Sequence, residues 1–244
     1  MRYFVELAFN GSNFNGWQRQ PNAPTVQQKL NECFSTYLQQ DVDLMGCGRT
    51  DTSVHAKQFY AHFDVNNSLP EKALFHLNSM LPSDIALKRF IEVEDDNHAR
   101  FDATHREYQY RIISKKDPFE INSALLIHDN LDVRAMNKAA KLIIGNHHFG
   151  AFARAMENQI TYLCDVSYAF WMEEEDVLTF TIAANRFLRN MVRALVGTFV
   201  DIGRGKISAE QILSILDSKD RSNAGSSVAG EGLYLTQVEY PYIK

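Results

Sequence analysis

The sequence predicts a mixed α/β fold, on three observations. Tyr3, Val5, Leu7 and Phe9 alternate with Phe4, Glu6 and Ala8, the two-residue period of a strand. Residues 26, 30, 33, 34 and 37 are apolar and fall on one face of a helix that Pro24-Thr25-Val26-Gln27-Gln28 opens with a capping box. From near Thr104 onward, strand and helix patterns follow one another again.

Taken in order, Asn10-Gly11 ends the first strand and the helix after it runs to about Gln40. Phe59 to Val65 reads as a strand, and Glu71 to Ser79 as a short helix closed by Leu81-Pro82. In the second half, Tyr108 to Ile113 is strand-like and a helix spans Asp132 to Gly145. Strands at about 163–172 and 177–184 flank an acidic turn, and a long helix runs from about Arg186 to Gly203. Ser208-Ala209-Glu210-Gln211 caps a further helix, and Leu233 to Tyr240 is the last strand. Arg221 to Gly232 is rich in Ser, Gly and Ala, lacks periodicity, and is expected to be a mobile loop. Two domains are expected, 1–104 and 105–244.

A chain of 244 residues with 45% hydrophobic content can bury one large core or two small ones. No run approaches the ~18 apolar residues of a membrane span, and Met1 to Glu6 begins like a strand and not a signal peptide. The expectation is a cytoplasmic protein with no membrane partner. Cys33, Cys47 and Cys164 form neither a disulfide framework nor a C-x-x-C pair, so they read as buried thiols, with no metal site. The net charge of -5 argues against a protein that coats nucleic acid indiscriminately. Charge is nevertheless segregated: acids gather at 92–96 and 173–176, cations from Arg100 to Lys116 and from Arg186 to Lys206. The cationic stretches are where a nucleic acid would bind.

Gly48 to Ala56 is a polar loop between a helix and a strand, packing an acid, a cation, hydroxyls and an imidazole into nine residues. On spacing alone a surface turn is the better reading, and His55 a hydrogen-bonded loop histidine. Arg186, Arg189 and Arg193 fall at i, i+3 and i+7 of the expected long helix, beside an apolar face of Phe187, Met191, Leu195 and Thr198. Pattern alone makes the first two a solvated basic face. Tyr108 and Tyr110, two apart, point to one side of a strand.

The loop residues Gly48-Arg49-Thr50-Asp51-Thr52-Ser53-Val54-His55-Ala56 resemble the Gly-Arg-Thr-Asp-x-Gly-Val-His-Ala signature of the tRNA pseudouridine synthase A family. Further matches follow in the family's order along nearly the whole chain: Phe9 to Gln20 around Gly16-Trp17-Gln18-Arg19-Gln20, Thr25-Val26-Gln27, Leu81-Pro82, and Ala99-Arg100-Phe101 through Arg106, Tyr108 and Tyr110. Gly145-x-His147-x-Phe149, Asn185-x-Phe187-Leu188 through Met191-Val192-Arg193 and Gly197, and Gly232-Leu233-Tyr234-Leu235 complete the series.

The resemblance implies two similar α/β (α+β) domains with mainly antiparallel sheets flanked by helices, an active cleft between them, and a homodimer acting on tRNA. It implies an isomerase that breaks the N1–C1′ bond of uridine, turns the base and rejoins it through C5, at about positions 38 to 40 of the anticodon stem-loop. That reaction is redox-neutral, so no cofactor is expected. Asp51 is implied as the catalytic carboxylate, attacking C1′, removing a 2′ proton or adding to C6. Arg193 would pair with it and keep it ionised. Tyr108 would stack on the target uracil. Arg49, His55, Arg106, Arg186 and Arg189, with Lys57 just beyond the loop, are the substrate-binding candidates, and Trp17 is left to the core.

The chain departs from the family pattern at Phe9-Asn10, at His148, between Ile160 and Cys164, and at Ser53, where the family has Gly. A serine there costs roughly 1 kcal/mol if the position requires a positive φ. Two rival readings follow: a nucleoside hydrolase with one carboxylate, and a catalytically impaired tRNA-binding paralogue.

Overall fold

Arg2–Phe9 form β1, and its neighbours bury nearly all of it: Tyr3, Phe4, Val5, Leu7 and Phe9 are buried, on both faces of the strand. The alternation read from the sequence is real, but it separates two packed faces and not a core face from a wet one. The computed structural model describes residues 1–154 and 161–243; Ile160, where the family match fades, lies outside them. The chain divides into one unit of Met1–Thr104 with Tyr234–Lys244 and another of His105–Leu233.

In the first unit β1 is followed by α1 (Val26–Leu38), β2 (Met45–Gly46), β3 (His55–Asp64), α2 (Ala73–Met80) and β4 (Ile85–Val93). β1 pairs antiparallel with β3 on one side and β4 on the other. The Thr25 hydroxyl caps α1 by accepting from the Gln28 N–H at 3.3 Å. Gln28 turns its own amide to Glu32, so only half of the expected capping box forms. The helix ends at Leu38, followed by left-handed Gln39. Its buried face sets Phe34 edge-on to Phe63, with ring centres 5.0 Å apart. Each such phenylalanine contributes roughly 1.5–3 kcal/mol on burial.

β4 carries no clear strand pattern in the sequence, because Lys88 and Arg89 interrupt its apolar residues. Both cations serve Glu6, a buried carboxylate on β1: Arg89 Nε lies 2.7 Å from it and Lys88 Nζ 3.7 Å. The Tyr60 hydroxyl donates to it at 3.0 Å. Burial pushes the Glu6 carboxyl up, but hydrogen bonds from Arg89, Gln58 and Tyr60 outweigh that and hold it below its ordinary value.

The second unit contains β5 (His105–Ile113), β6 (Leu125–Leu126), α3 (Val133–Leu142), β7 (Gly145–His148), β8 (Leu163–Glu174), β9 (Val177–Ala184), α4 (Met191–Gly203) and α5 (Gln211–Ser218). Its long strands lie in the order β5-β9-β8-β7, each antiparallel to its neighbour. Glu175 and Asp176 make the turn between β8 and β9, as the acidic run suggested, with Glu175 left-handed at φ 55°. Trp171, Phe180 and Phe199 form the aromatic centre of this core. α3 stops three residues before Gly145, whose φ of 101° belongs to the start of β7. Gln211 returns its side chain to the Ser208 N–H at 2.7 Å, the reciprocal half of a capping box.

Three expectations need correction. β10 (Leu233–Glu239) was assigned by sequence to the second domain, yet from Tyr234 it belongs to the first unit, where Tyr234 and Leu235 pair parallel with His55 and Ala56 of β3. α4 begins at Met191 and not Arg186, because Asn190 is left-handed (φ 68°) and cannot continue a helix backwards. The segment 221–232, expected to be mobile, is tied down by hydrogen bonds from Arg193, Asn190 and Tyr110 and by one that its Gly225 N–H donates to Thr198. Among the described residues, no helix is long and apolar enough to cross a membrane.

Candidate active site

Asp51 sits half-buried in the seven-residue connection Gly48 to Val54, ahead of the first residue of β3. The loop is held from below by the segment after β1. The Trp17 N–H donates to the Thr50 carbonyl at 3.3 Å and the Ser53 N–H to the Phe14 carbonyl at 3.2 Å. Glycines make this contact possible: a Cβ on Gly16 would meet the Thr50 oxygen at 2.3 Å, and one on Gly11 the Val54 oxygen at 2.0 Å. Trp17 is 1% exposed and stacks on Phe59 with centres 4.2 Å apart, so it anchors this segment in the core. The Thr50 hydroxyl is buried with no hydrogen-bond partner among the described residues.

The turn that follows closes with the Val54 N–H donating to the Asp51 carbonyl at 3.2 Å, and Ser53 within it has φ 62°. The position does require a left-handed residue, and a serine occupies it.

His55 is in β3 and not in the loop. It is 3% exposed, its Nδ1 accepts from the Gly11 N–H at 3.1 Å, and its ring stacks on Tyr234 at 4.5 Å and 18°. Its observed contacts brace the loop. Arg49 and Lys57, by contrast, are exposed, and Lys57 Nζ lies 5.5 Å from the Tyr234 ring centre.

In the second unit, Tyr108 is half-buried on β5 opposite Ile182 and makes a T-shaped contact with Phe187 at 5.0 Å and 84°. Tyr110, on the same side, is fully buried and its hydroxyl donates to the Ala229 carbonyl at 2.8 Å, the core role expected of it. Arg106 donates from Nη1 to the Asn185 carbonyl at 3.1 Å. β5 thus gathers Arg106 and Tyr108 against residues 185–187, and Phe187 is a neighbour of the site that sequence reasoning left in a helix face. Arg193, the third residue of α4, donates from Nε to the Val228 carbonyl at 2.8 Å. Because Arg186 and Arg189 precede the helix, the three arginines do not share a helical face. Arg189 is exposed and Arg186 half-buried.

The two cationic stretches are partly neutralised. Arg111 is paired with Glu120, Lys115 with Asp176, Arg204 with Asp129 and Lys206 with Asp201. Burial pushes the Cys164 thiol up to about 11, and all three cysteines are buried free thiols.

Comparison with known proteins bears on what this arrangement does. A family model described as tRNA pseudouridine synthase matches residues 139–241. A protein of Parabacteroides distasonis named tRNA pseudouridine synthase A is 42% identical over 242 residues, 98% of this chain and 96% of that protein. Proteins of the same name from Bacteroides thetaiotaomicron and Porphyromonas gingivalis are each 43% identical, covering 98% of this chain and 91% and 97% of their own length. The chain therefore belongs to the tRNA pseudouridine synthase A family and is an RNA pseudouridine synthase, an isomerase.

Proposed function

We propose that this enzyme converts uridine to pseudouridine at about positions 38 to 40 of the tRNA anticodon stem-loop, with Asp51 as the catalytic carboxylate. The observation that carries the reading is the seating of Asp51. A half-buried carboxylate stands on a loop whose backbone is fixed by Gly16, Trp17 and Phe14, and rigid support of that kind is what a reacting group needs.

In this reading Asp51 initiates cleavage of the N1–C1′ bond, the uracil turns while held, C5 bonds to C1′ and gives up its proton, and N1 takes up a proton from solvent. Tyr108 replaces the stacking that a flipped uridine loses, its ring already steadied by the T-shaped contact with Phe187. Arg193 supplies the cation of the site, a guanidinium whose planar fork suits a carboxylate. Arg49, Arg106, Arg186 and Arg189 meet phosphates or the flipped nucleotide. His55 contributes indirectly, by bracing the loop. The enzyme works in the cytoplasm as a homodimer that holds tRNA, a reading supported by the family resemblance and testable by light scattering of the purified protein.

The test uses tRNA carrying tritium at uridine C5. Pseudouridine formation releases that tritium to water while the base stays attached to the RNA. Release by the wild type and its loss in Asp51→Ala are expected. Free base in solution would favour a nucleoside hydrolase, and tRNA binding without release an impaired paralogue.

A further inference from the structure

We infer that residues 224–229 form a strap over the start of α4 whose function is to aim the Arg193 side chain, with Ser227 as the positioning residue. The inference rests on the reading of Arg193 as the cation of the site, and extends it to residues that act through that arginine.

The strap grips Arg193 at two points. The Val228 carbonyl accepts from Arg193 Nε at 2.8 Å, and the Val228 N–H donates to the Arg193 carbonyl at 3.2 Å. One peptide residue therefore fixes both the backbone and the guanidinium plane of the same arginine. A guanidinium that pairs in two-pronged fashion depends on the orientation of that plane.

The strap is itself held against the helix. Its backbone comes so near that a Cβ on Gly197 would lie 1.8 Å from the Ser226 oxygen, and one on Gly225 2.8 Å from the Thr198 nitrogen. The Gly225 N–H donates to the Thr198 hydroxyl at 2.9 Å. Ser227 is the junction: its hydroxyl accepts from Asn190 Nδ2 at 2.6 Å and from Arg221 Nη2 at 2.9 Å. Asn190 precedes α4 but makes no capping bond with its side chain, and spends its amide on the strap instead. Tyr110 anchors the far end through Ala229. Six residues with no helix or strand of their own are thus tied to α4 and β5, with Val228 among them.

The experiment measures pseudouridine formation in a single turnover, with folded enzyme saturating and in excess over tRNA, so that the rate constant is independent of the folded fraction, which circular dichroism reports separately. Ser227→Ala should slow the rate constant by roughly 5- to 20-fold at full amplitude and unchanged tRNA affinity. Asn190→Asp, which keeps a residue that tolerates the left-handed position but removes the donor, should do the same, and Ser227→Thr, which keeps the hydroxyl, should recover the rate. Added to Arg193→Lys, Ser227→Ala should cause no further slowing, because the strap acts through that arginine. A wild-type rate in both Ser227→Ala and Asn190→Asp, or additive losses in the double variant, overturns the inference. A wild-type rate in Arg193→Lys instead removes Arg193 from the site, and the strap's role with it.

Discussion

A Cβ placed on Gly16 would lie 2.3 Å from the carbonyl oxygen of Thr50, the residue before Asp51, and Gly16 has a φ of 83°. The loop that carries the acid is thus seated on a residue that can be nothing but glycine. Gly16→Ala is expected to cost about 1–2 kcal/mol for the dihedral and about 1–3 kcal/mol for the overlap. Displacing Asp51 by an ångström should lower turnover about a hundredfold. Urea denaturation and tritium release measure the two effects, and equal loss of both in Trp17→Phe would not be expected, since that change leaves the backbone contact in place.

Ser53 presents the opposite case, a side chain where the backbone favours none. Relief of its left-handed conformation is worth about 1–2 kcal/mol, against which glycine loses about 0.5–1 kcal/mol more backbone entropy on folding. Ser53→Gly should therefore raise stability by up to about 1 kcal/mol with turnover retained or increased. Ser53→Val, β-branched at the same φ, should lower both. Thermal unfolding followed beside tritium release will show it.

Tyr108 contacts Phe187 through its ring and needs no hydroxyl to do so. Tyr108→Phe should keep tRNA affinity within about twofold, while slowing turnover by roughly tenfold or more if the hydroxyl carries a proton. Wild-type turnover would confine the residue to stacking. Tyr108→Ala should weaken turnover more severely, because the flipped base then lacks a flat partner.

His62 lies buried in the first unit, its Nδ1 accepting from the Ala99 N–H at 3.1 Å and its ring 4.5 Å from that of His98. Burial, with repulsion from His98 and Arg2, lowers its pKa to about 4 from 6.5. The unfolded chain takes up this proton first as the pH falls, so stability is full above pH 6.5 and declines toward pH 4, by roughly 3 kcal/mol for this group. His62→Asn, which can still accept from Ala99, should flatten that decline in urea titrations at pH 7, 5.5 and 4.5.

Periodicity reveals β1, α1, β5, β8 and β9 because one side-chain pattern dominates each, and the cap at Ser208 reveals α5. β4 was hidden because its polar residues serve a carboxylate on the neighbouring strand, and no local pattern records a partner 83 residues away. The start of α4 was misplaced for a similarly specific reason: residues 186–190 continue an acceptable helical pattern, and only the left-handed Asn190 breaks it. Of the candidate site, the motif residues were legible by resemblance. What the residues do for one another was not: that His55 is a brace on Tyr234, that Phe187 steadies Tyr108, and that Val228 holds Arg193 are tertiary facts. Composition made 221–232 look mobile because small polar residues suit a loop, yet here they suit close approach to a helix.

The return of β10 to β3 sets a timetable for synthesis. The first unit leaves the ribosome as far as Thr104, and the residues that pair with His55 and Ala56 follow about 130 residues later. At ~5–20 residues per second that delay is on the order of ten seconds. Throughout it the His55–Ala56 end of β3 offers unpaired peptide groups to any passing strand, and His55 has no Tyr234 to lie against. The loop bearing Asp51 has its backbone support from Phe14 and Trp17 early, but His55, which follows it, receives its ring partner only at the end of that interval.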